Sequence, residues 1–213
     1  MPYNIFYNLT YKRFIMRTLF WTFKGGQGKT TLAVSYALYS DSYFITNDTE
    51  SGTLDIYGGL FSSDKMESLG RGEDLVLRER NEVYDLGGWS DSLAEKVASN
   101  CEICVIPVSF NSISEITPSI KAINSLSIYN KSIVLVINNT DKKEAVEAKK
   151  YFEKEYPKIK VFIVNKSKYI HRLANENKTV FEIAEQNGLT RYNTKQLRNQ
   201  LTTLFDYIKN YDN

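Results

Sequence analysis

Residues 24 to 31 read Lys-Gly-Gly-Gln-Gly-Lys-Thr-Thr, directly after the apolar run Phe20-Trp21-Thr22-Phe23 and directly before a segment of helical periodicity. The three glycines would let successive backbone N–H groups turn towards one anion, because a Cβ there would obstruct the approach. A helix beginning near Lys29 would direct the positive end of its dipole at the same anion. The stretch predicts a phosphate-binding loop between a strand and a helix, whereas the alternative is a glycine turn with an exposed Lys29.

Two side chains of this loop suit nucleotide chemistry. Lys29 can reach the β- and γ-phosphates, and the hydroxyl of Thr30 can ligate Mg²⁺. The residues predicted to bind the nucleotide are Gly25, Gly26, Gln27, Gly28, Lys29, Thr30 and Thr31.

The composition is ordinary for a soluble globular domain, with 42% hydrophobic and 24% charged residues. Lysine and arginine number 27 against 25 acidic residues, so the net charge of +2 does not by itself indicate a nucleic-acid partner. The sequence shows no secretory leader pattern and no apolar run near the roughly 20 residues that cross a bilayer. We expect a cytoplasmic protein with one hydrophobic core and no membrane span.

Short apolar runs alternate with segments of helical periodicity along the chain. Several runs are continuously apolar, which is typical of strands buried on both faces of a sheet. The predicted strands are Thr18–Phe23, Tyr43–Thr46, Glu82–Tyr84, Ile103–Val108, Ile133–Asn138 and Val161–Val164. The predicted helices are Thr30–Tyr39, Ser90–Ser99, Asp141–Tyr156 and a final helix from Thr194 that docks Leu197, Leu201, Leu204, Phe205 and Ile208. This alternation predicts an α/β fold with a doubly wound, mostly parallel sheet flanked by helices.

We expect one domain over residues 18–213, because no proline-rich linker, repeat or low-complexity tract divides the chain. Within it, residues 51–81 are predicted to hold one helix and loops. Residues 1–17 are aromatic and basic without a clear period, and we expect them to lie outside the fold. They are either a short flexible arm or, if translation begins at Met16, largely an extension that is not native.

A second motif, which contains an acidic residue, follows the loop in sequence. Val83-Tyr84-Asp85 is an apolar strand that ends in a carboxylate, and Gly87-Gly88 follows it. A phosphate loop needs such a group near its Mg²⁺, so Asp85 is predicted to serve the metal through a water molecule. The alternative is an aspartate that only forms a turn.

The first motif resembles the deviant Walker A sequence of the ParA/MinD family of P-loop ATPases, written Lys-Gly-Gly-X-Gly-Lys-Thr/Ser. Phe23 stands where the standard motif has its first glycine, and Lys24 matches the additional lysine of the family. The resemblance implies that Lys24 reaches the phosphates of a partner subunit in a nucleotide-sandwich homodimer. Taken without the motif, Lys24 would be an exposed loop lysine.

The resemblance extends over about residues 18–185. Thr46-Asn47-Asp48-Thr49-Glu50 stands where the family has Asp-X-Asp-Pro-Gln, so Asp48 matches the aspartate that orients the attacking water, and Thr46, Thr49 and Glu50 depart from the pattern. As a capping or turn residue, Asp48 would look much the same. Asn138 matches a strand-ending asparagine that faces the adenine, although a turn residue would also fit. Together these matches imply ATP and Mg²⁺ as ligands and Lys24, Lys29 and Asp48 as catalytic residues.

The two cysteines, Cys101 and Cys104, form a Cys-x-x-Cys pair without the further ligands that a tetrahedral metal site needs. We interpret them as small buried hydrophobic residues. The single histidine, His171, is expected at the surface or at a helix cap, because phosphoryl transfer of this type needs no histidine base.

Cations cluster in the C-terminal half of the chain. ParA-type proteins bind DNA non-specifically through such residues, and release of counterions would supply the affinity. The candidate DNA-binding residues are Lys166, Lys168, Arg172, Arg191, Lys195 and Arg198. Each cluster taken separately is also compatible with a solvated face.

The resemblance therefore implies an ATPase for partitioning plasmids or chromosomes, stimulated by a ParB-like centromere-binding protein and associated with the nucleoid. The alternatives are a MinD-like ATPase that positions protein or membrane cargo without DNA, and a nucleotide-binding scaffold that does not hydrolyse. The docked final helix disfavours membrane targeting by a free C-terminal helix.

Overall fold

The computed structural model describes residues 15–48, 52–70, 73–87, 91–110 and 116–211. Their strands form one sheet in the order β3-β2-β4-β1-β5-β6-β7, and every neighbouring pair is parallel. The strands are β1 (Arg17–Phe20), β2 (Tyr43–Thr46), β3 (Met66–Ser68), β4 (Glu82–Asp85), β5 (Ile103–Val108), β6 (Ile133–Thr140) and β7 (Lys160–Asn165).

Eight α-helices accompany these strands among the described residues. They are α1 (Lys29–Ser40), α2 (Thr53–Tyr57), α3 (Asp91–Ala98), α4 (Ile116–Tyr129), α5 (Lys142–Glu155), α6 (Arg172–Glu176), α7 (Val180–Glu185) and α8 (Gly188–Lys209). A 3₁₀ turn, Gly58–Leu60, follows α2.

Helices cover both faces of the sheet, which confirms the predicted doubly wound α/β fold. On one face the buried core joins strand residues to α1 and α8. On the other face it joins them to α3, α4 and α5. The central strand β5 is apolar throughout, and all six of its residues are buried because helices cover both of its faces.

The final helix docks on the core, as its periodicity predicts. Its apolar positions Leu197, Leu201, Leu204, Phe205 and Ile208 are all buried. Asn187 caps the helix, since its Oδ1 accepts a hydrogen bond of 2.8 Å from the backbone N–H of Thr190. Among the described residues, no helix has both the length and the apolar character needed to cross a membrane.

The structure corrects the prediction for residues 51–81. This stretch contains α2, and it also contains β3, which we did not predict. β3 has only three residues of mixed polarity, so it carries no apolar run that would mark it as a strand. Its partner is β2, with Phe44 opposite Met66. The helix α4 was also missed, although its buried positions Ala122, Ile123 and Leu126 have helical spacing.

β1 begins at Arg17, one residue before the predicted domain boundary. Met16 is 7% exposed and belongs to the same core as α1 and α8. Its N–H donates to Oδ1 of Asn81, and its carbonyl accepts from the N–H of Glu82. Residues 1–14 and Ser90, the predicted cap of α3, lie outside the described residues.

Candidate functional site

The predicted phosphate loop follows β1, the strand at the centre of the sheet between β4 and β5. Because all the strands are parallel, their carboxyl ends surround the loop on one edge of the sheet. Gly26 and Gly28 have φ values of 74° and 72°, a left-handed conformation that favours glycine. The helix α1 begins at the next residue, Lys29, so its N-terminal end faces the loop.

Residues of β6 and of the segment after β5 hold the loop in place by hydrogen bonds. Asn138, at the end of β6, donates from Nδ2 to the carbonyl of Gln27 over 2.8 Å. The side-chain Oε1 of Gln27 accepts a hydrogen bond from the backbone N–H of Ser109, just after β5. Both Gln27 and Asn138 are buried, so these bonds hold the loop in a preformed shape.

Gly28 is the glycine that this packing constrains most. A Cβ there would lie 2.2 Å from Nδ2 of Asn138, whereas a Cβ on Gly25 would meet no atom within 4 Å. We expect Gly28→Ala to lower the free energy of unfolding by about 1–3 kcal/mol, because a strained φ adds to the collision. Gly25→Ala is the matched control and should change it by less than about 0.5 kcal/mol. Urea unfolding measures both, and equal losses would contradict the role of Asn138.

An ion pair lies beneath the cavity that the loop encloses. Nζ of Lys29 is 2.6 Å from Oδ1 of Asp85, the last residue of β4. Asp85 is inaccessible to water, and its Oδ2 has no hydrogen-bond partner among the described residues. A buried carboxylate oxygen with unused lone pairs suits a water molecule bound to Mg²⁺. With the hydroxyl of Thr30 on the adjoining turn, the residues present fit the predicted metal site.

The cavity at the loop has a volume of about 580 Å³, and two predicted catalytic side chains also line it. Lys24 and Asp48 contribute to its wall from the loop and from the end of β2, respectively. Its lining consists of Thr22, Phe23, Lys24, Gly25, Gly26, Gln27, Gly28, Lys29, Thr30, Thr31, Asp48 and Gly87. The structure therefore brings together the predicted phosphate residues, Asp48 and, through Lys29, Asp85.

Asn47 is a site residue that sequence reasoning missed. Its Oδ1 accepts a hydrogen bond of 2.6 Å from the N–H of Gly87, which joins the end of β2 to the segment after β4. Beside it, the hydroxyl of Thr46 accepts from the N–H of Asp48 over 3.1 Å. A polar run at the carboxyl end of a predicted strand was the available signal. Thr49 and Glu50, the other departures from the family pattern, lie outside the described residues.

A second, smaller cavity of about 70 Å³ adjoins the loop on the side of β6 and β7. Asn138, Asn139, Asn165 and Lys166 are among its lining residues. Asn139 has a positive φ of 50°, and its buried Oδ1 has no hydrogen-bond partner among the residues that the structure describes. Nδ2 of Asn138 is already bonded to the loop. The contact of Asn138 with a base therefore stays a prediction, and Asn139 joins it as a candidate.

The six predicted DNA-binding cations occupy two adjacent segments of the surface. The first segment runs from Lys166 to Arg172, and the second is the N-terminal half of α8. Nδ2 of Asn193 connects the two segments by donating a hydrogen bond of 3.2 Å to the hydroxyl of Tyr169. Lys166, Lys168 and Lys195 are exposed.

The three arginines of this set have partners within the protein. Arg172 binds Glu176, and Arg191 binds Glu185. Arg198 donates to the carbonyl of Arg191 over 3.1 Å. The role of the set in DNA binding stays a prediction.

The cysteines are free and buried, which confirms their interpretation as small core residues. Burial raises the pKa of Cys104 to about 12 and the pKa of Cys101 well above its usual value, so both thiols stay protonated. No group of three or more potential metal ligands occurs among the described residues. His171 is exposed at the N-cap position of α6, as expected.

Comparison with known proteins gives a structural relationship. Neither a family model nor a curated relative matches the sequence. A solved structure assigned as a plasmid partition protein of Borrelia burgdorferi B31, bound to AMPPNP, is 15% identical, with a TM-score of 0.62 over 91% of this chain and 99% of that chain.

McdA from Cyanothece is similar in two further structures. Its apo form is 13% identical, with a TM-score of 0.60 over 92% of this chain and 98% of that chain. An aspartate-to-alanine variant in complex with ATP is 12% identical, with a TM-score of 0.59 over 93% and 98%. The chain thus has the α/β fold of these structures, and at such identities the likeness shows the fold alone.

Proposed function

We propose that this protein is a ParA-like ATPase that partitions plasmid or chromosomal DNA in the cytoplasm. The observation that carries the proposal is the arrangement around the 580 Å³ cavity, where the loop, Lys24 and Asp48 form one wall and the Lys29–Asp85 pair lies beneath. Two of the similar structures hold AMPPNP or ATP, which supports a nucleoside triphosphate as the ligand.

Catalysis at this site is positioning and neutralisation of charge. Backbone N–H groups of residues 25–29 bind phosphate oxygens, and the ammonium groups of Lys29 and Lys24 neutralise negative charge that develops during hydrolysis. Asp48, which also lines the cavity, orients the attacking water. Thr30 and, through water, Asp85 would hold Mg²⁺, which would supply further neutralisation of the phosphate charge.

The pairing of Lys29 with Asp85 has a consequence for nucleotide binding. Both groups are largely withdrawn from water, with side-chain exposures of 12% and 0%. In the absence of phosphate, each group compensates the charge of the other. When ATP binds, Lys29 turns to the phosphates, and the carboxylate of Asp85 that it leaves would be free to hold Mg²⁺ through a water molecule. The pair thus keeps a charged site stable while it is empty.

Partner binding follows from the same proposal. ATP closes a homodimer in which Lys24 reaches the phosphates of the other subunit. The closed dimer binds DNA non-specifically through the exposed lysines and neighbouring arginines, and a ParB-like centromere-binding protein stimulates hydrolysis and release. Asn138 and Asn139 are the candidates for contact with the adenine, because both line the small cavity beside the loop.

A filter-binding assay with random duplex DNA tests this proposal most directly. We expect ATP-dependent retention that falls steeply with salt, because phosphate contacts release counterions. A triple variant with Lys166, Lys168 and Lys195 changed to alanine should lose at least tenfold in affinity. The matched control changes Lys142, Lys143 and Lys150, which lie on α5. No retention at low salt, with or without ATP, would reject the DNA-binding proposal.

The second candidate is a MinD-like ATPase that positions protein or membrane cargo. The observation that favours it is that Arg172 and Arg191 each carry an acidic partner, which reduces the charge available to DNA. This candidate keeps the nucleotide site and the dimer and would show ATP-dependent dimerisation without retention of DNA.

A further inference from the structure

One crossover of the sheet differs from the others. Each described connection between strands that follow one another in sequence contains a helix, except the connection from β3 to β4. Residues 69–70 and 73–81, the described part of that connection, contain no helix. Above β2, β3 and the adjoining part of β4, the sheet face that α3, α4 and α5 cover elsewhere is therefore covered by an irregular segment.

A cavity of about 320 Å³ lies between this segment and the sheet, and we call it the crossover cavity. Its apolar lining comes from both sides, with Ile45 and Tyr84 on the strands and Leu75 and Val76 on the segment. Val76 is 60% exposed. A cavity with apolar walls next to an exposed valine leaves apolar surface in water, which favours an occupant.

The charged groups of the crossover cavity are mainly acidic. Its described lining contains Glu67, Glu73 and Asp74 but only one basic residue, Arg78. Arg78 is itself paired with Glu67. Glu67 is also paired with Arg80, and the exposed Asp74 is paired with Lys96. Glu73 accepts the backbone N–H of Gly70 and is the lining carboxylate that has no ion pair among the described residues. A complementary occupant would be apolar and basic.

The residues before Ile15 have that composition. They contain no acidic residue, and they carry the cations Lys12 and Arg13. Their apolar and aromatic members are Met1, Pro2, Tyr3, Ile5, Phe6, Tyr7, Leu9, Tyr11 and Phe14.

The chain also enters the fold beside the crossover cavity. Met16 is hydrogen-bonded to Asn81, which ends the β3–β4 connection, and to Glu82, which begins β4. Nη2 of Arg17 donates to the carbonyl of Arg78, a lining residue, over 2.8 Å. An extended segment spans about 3.3 Å per residue, so residues 1–14 are long enough to cover the whole cavity.

We propose that residues 1–14 dock in the crossover cavity of their own chain and take the place of the missing crossover helix. Apolar side chains of the segment bury Leu75 and Val76, while Lys12 and Arg13 lie near Glu73 and Asp74. The proposal concerns the nucleotide-free protein and does not depend on its activity.

Hydrogen exchange on the full chain tests the proposal. Phe6→Asp should raise the amide exchange rates of residues 73–78 at least tenfold, and Val76→Asp should raise those of residues 3–14 by a similar factor. Ile128→Asp is the matched control, since Ile128 is 72% exposed on α4 and should affect neither segment. Val76 and Ile128 are exposed, and Phe6 precedes the described residues, so we expect the described fold to persist in all three variants.

Two results would overturn the proposal. One is free exchange of residues 3–14 in the unsubstituted chain together with no response of residues 73–78 to Phe6→Asp. The other is protection that disappears on dilution of the protein, which would assign the crossover cavity to a second copy of the chain.

Discussion

Lys29→Ala is expected to weaken nucleotide binding at least about 30-fold and to destabilise the empty protein as well. The lysine contacts the phosphates in the proposed complex, and truncating a buried charged contact costs about 2–5 kcal/mol, or roughly 30-fold to several thousand-fold in affinity. In the absence of nucleotide the same change leaves Asp85 buried without its partner at 2.6 Å. Removal of one member of such a buried pair costs about 3–5 kcal/mol. We expect Lys29→Ala to lower the free energy of unfolding by about 3 kcal/mol, the lower limit of that range.

The double variant Lys29→Ala/Asp85→Asn separates the two effects. The neutral amide leaves no uncompensated charge, so most of the lost stability should return, while nucleotide binding should not. Urea unfolding and calorimetric titration with AMPPNP measure the two quantities independently. If the single variant Lys29→Ala were as stable as the unsubstituted protein, the ion pair would not stabilise the empty site. Recovery of nucleotide binding in the double variant would show that Lys29 does not contact the phosphates.

Opposite effects are expected from Lys24→Ala and Asp48→Ala, although both residues line one cavity. Lys24→Ala should leave the protein monomeric with ATP and Mg²⁺, because the contact with the partner's nucleotide is lost. Asp48→Ala should trap the ATP dimer, because loss of a group that positions the attacking water slows hydrolysis by about 10²–10⁴-fold. Size-exclusion chromatography with light scattering distinguishes the two masses, and phosphate release gives the rate.

Lys121→Ala on the surface of α4 is the control for a lysine lost elsewhere, and it should dimerise and dissociate like the unsubstituted protein. Calorimetric titration should show that both test variants still bind AMPPNP, so that a failure to dimerise is not a failure to bind. If Lys24→Ala and Asp48→Ala both dimerise normally with ATP, the sandwich mechanism is wrong. This outcome would leave the nucleotide site itself untouched.

The sequence predicts those parts of the fold that local chemistry specifies. β5 is an uninterrupted apolar run because both of its faces are buried. α1 follows a glycine-rich loop with a distinctive sequence motif. β3 is different, since three residues of mixed polarity become a strand only through pairing with β2. No local pattern in residues 66–68 contains that information.

The candidate site likewise contains residues that the sequence predicts and contacts that it does not. The loop, Asp48 and Asp85 can be recognised because each follows a predicted strand, and parallel strands bring their carboxyl ends together. The hydrogen bonds from Gly87 to Asn47 and from Asn138 to Gln27 join residues that are remote in sequence. Their existence depends on strand order, which the sequence does not display. The pairing of Arg191 with Glu185 across the junction of α7 and α8 is equally invisible, and it lowers the charge predicted for that surface.

The position of β1 at the centre of the sheet has a consequence for the order of events during folding. Its two neighbours begin at Glu82 and Ile103, so β1 cannot complete its backbone hydrogen bonds until both have been synthesised. Parallel pairing across such separations closes long loops and is intrinsically slow. The bonds that fix Gln27 come later still, because Asn138 follows β5. We therefore expect the nascent chain to acquire its affinity for nucleotide only after most of its length has left the ribosome.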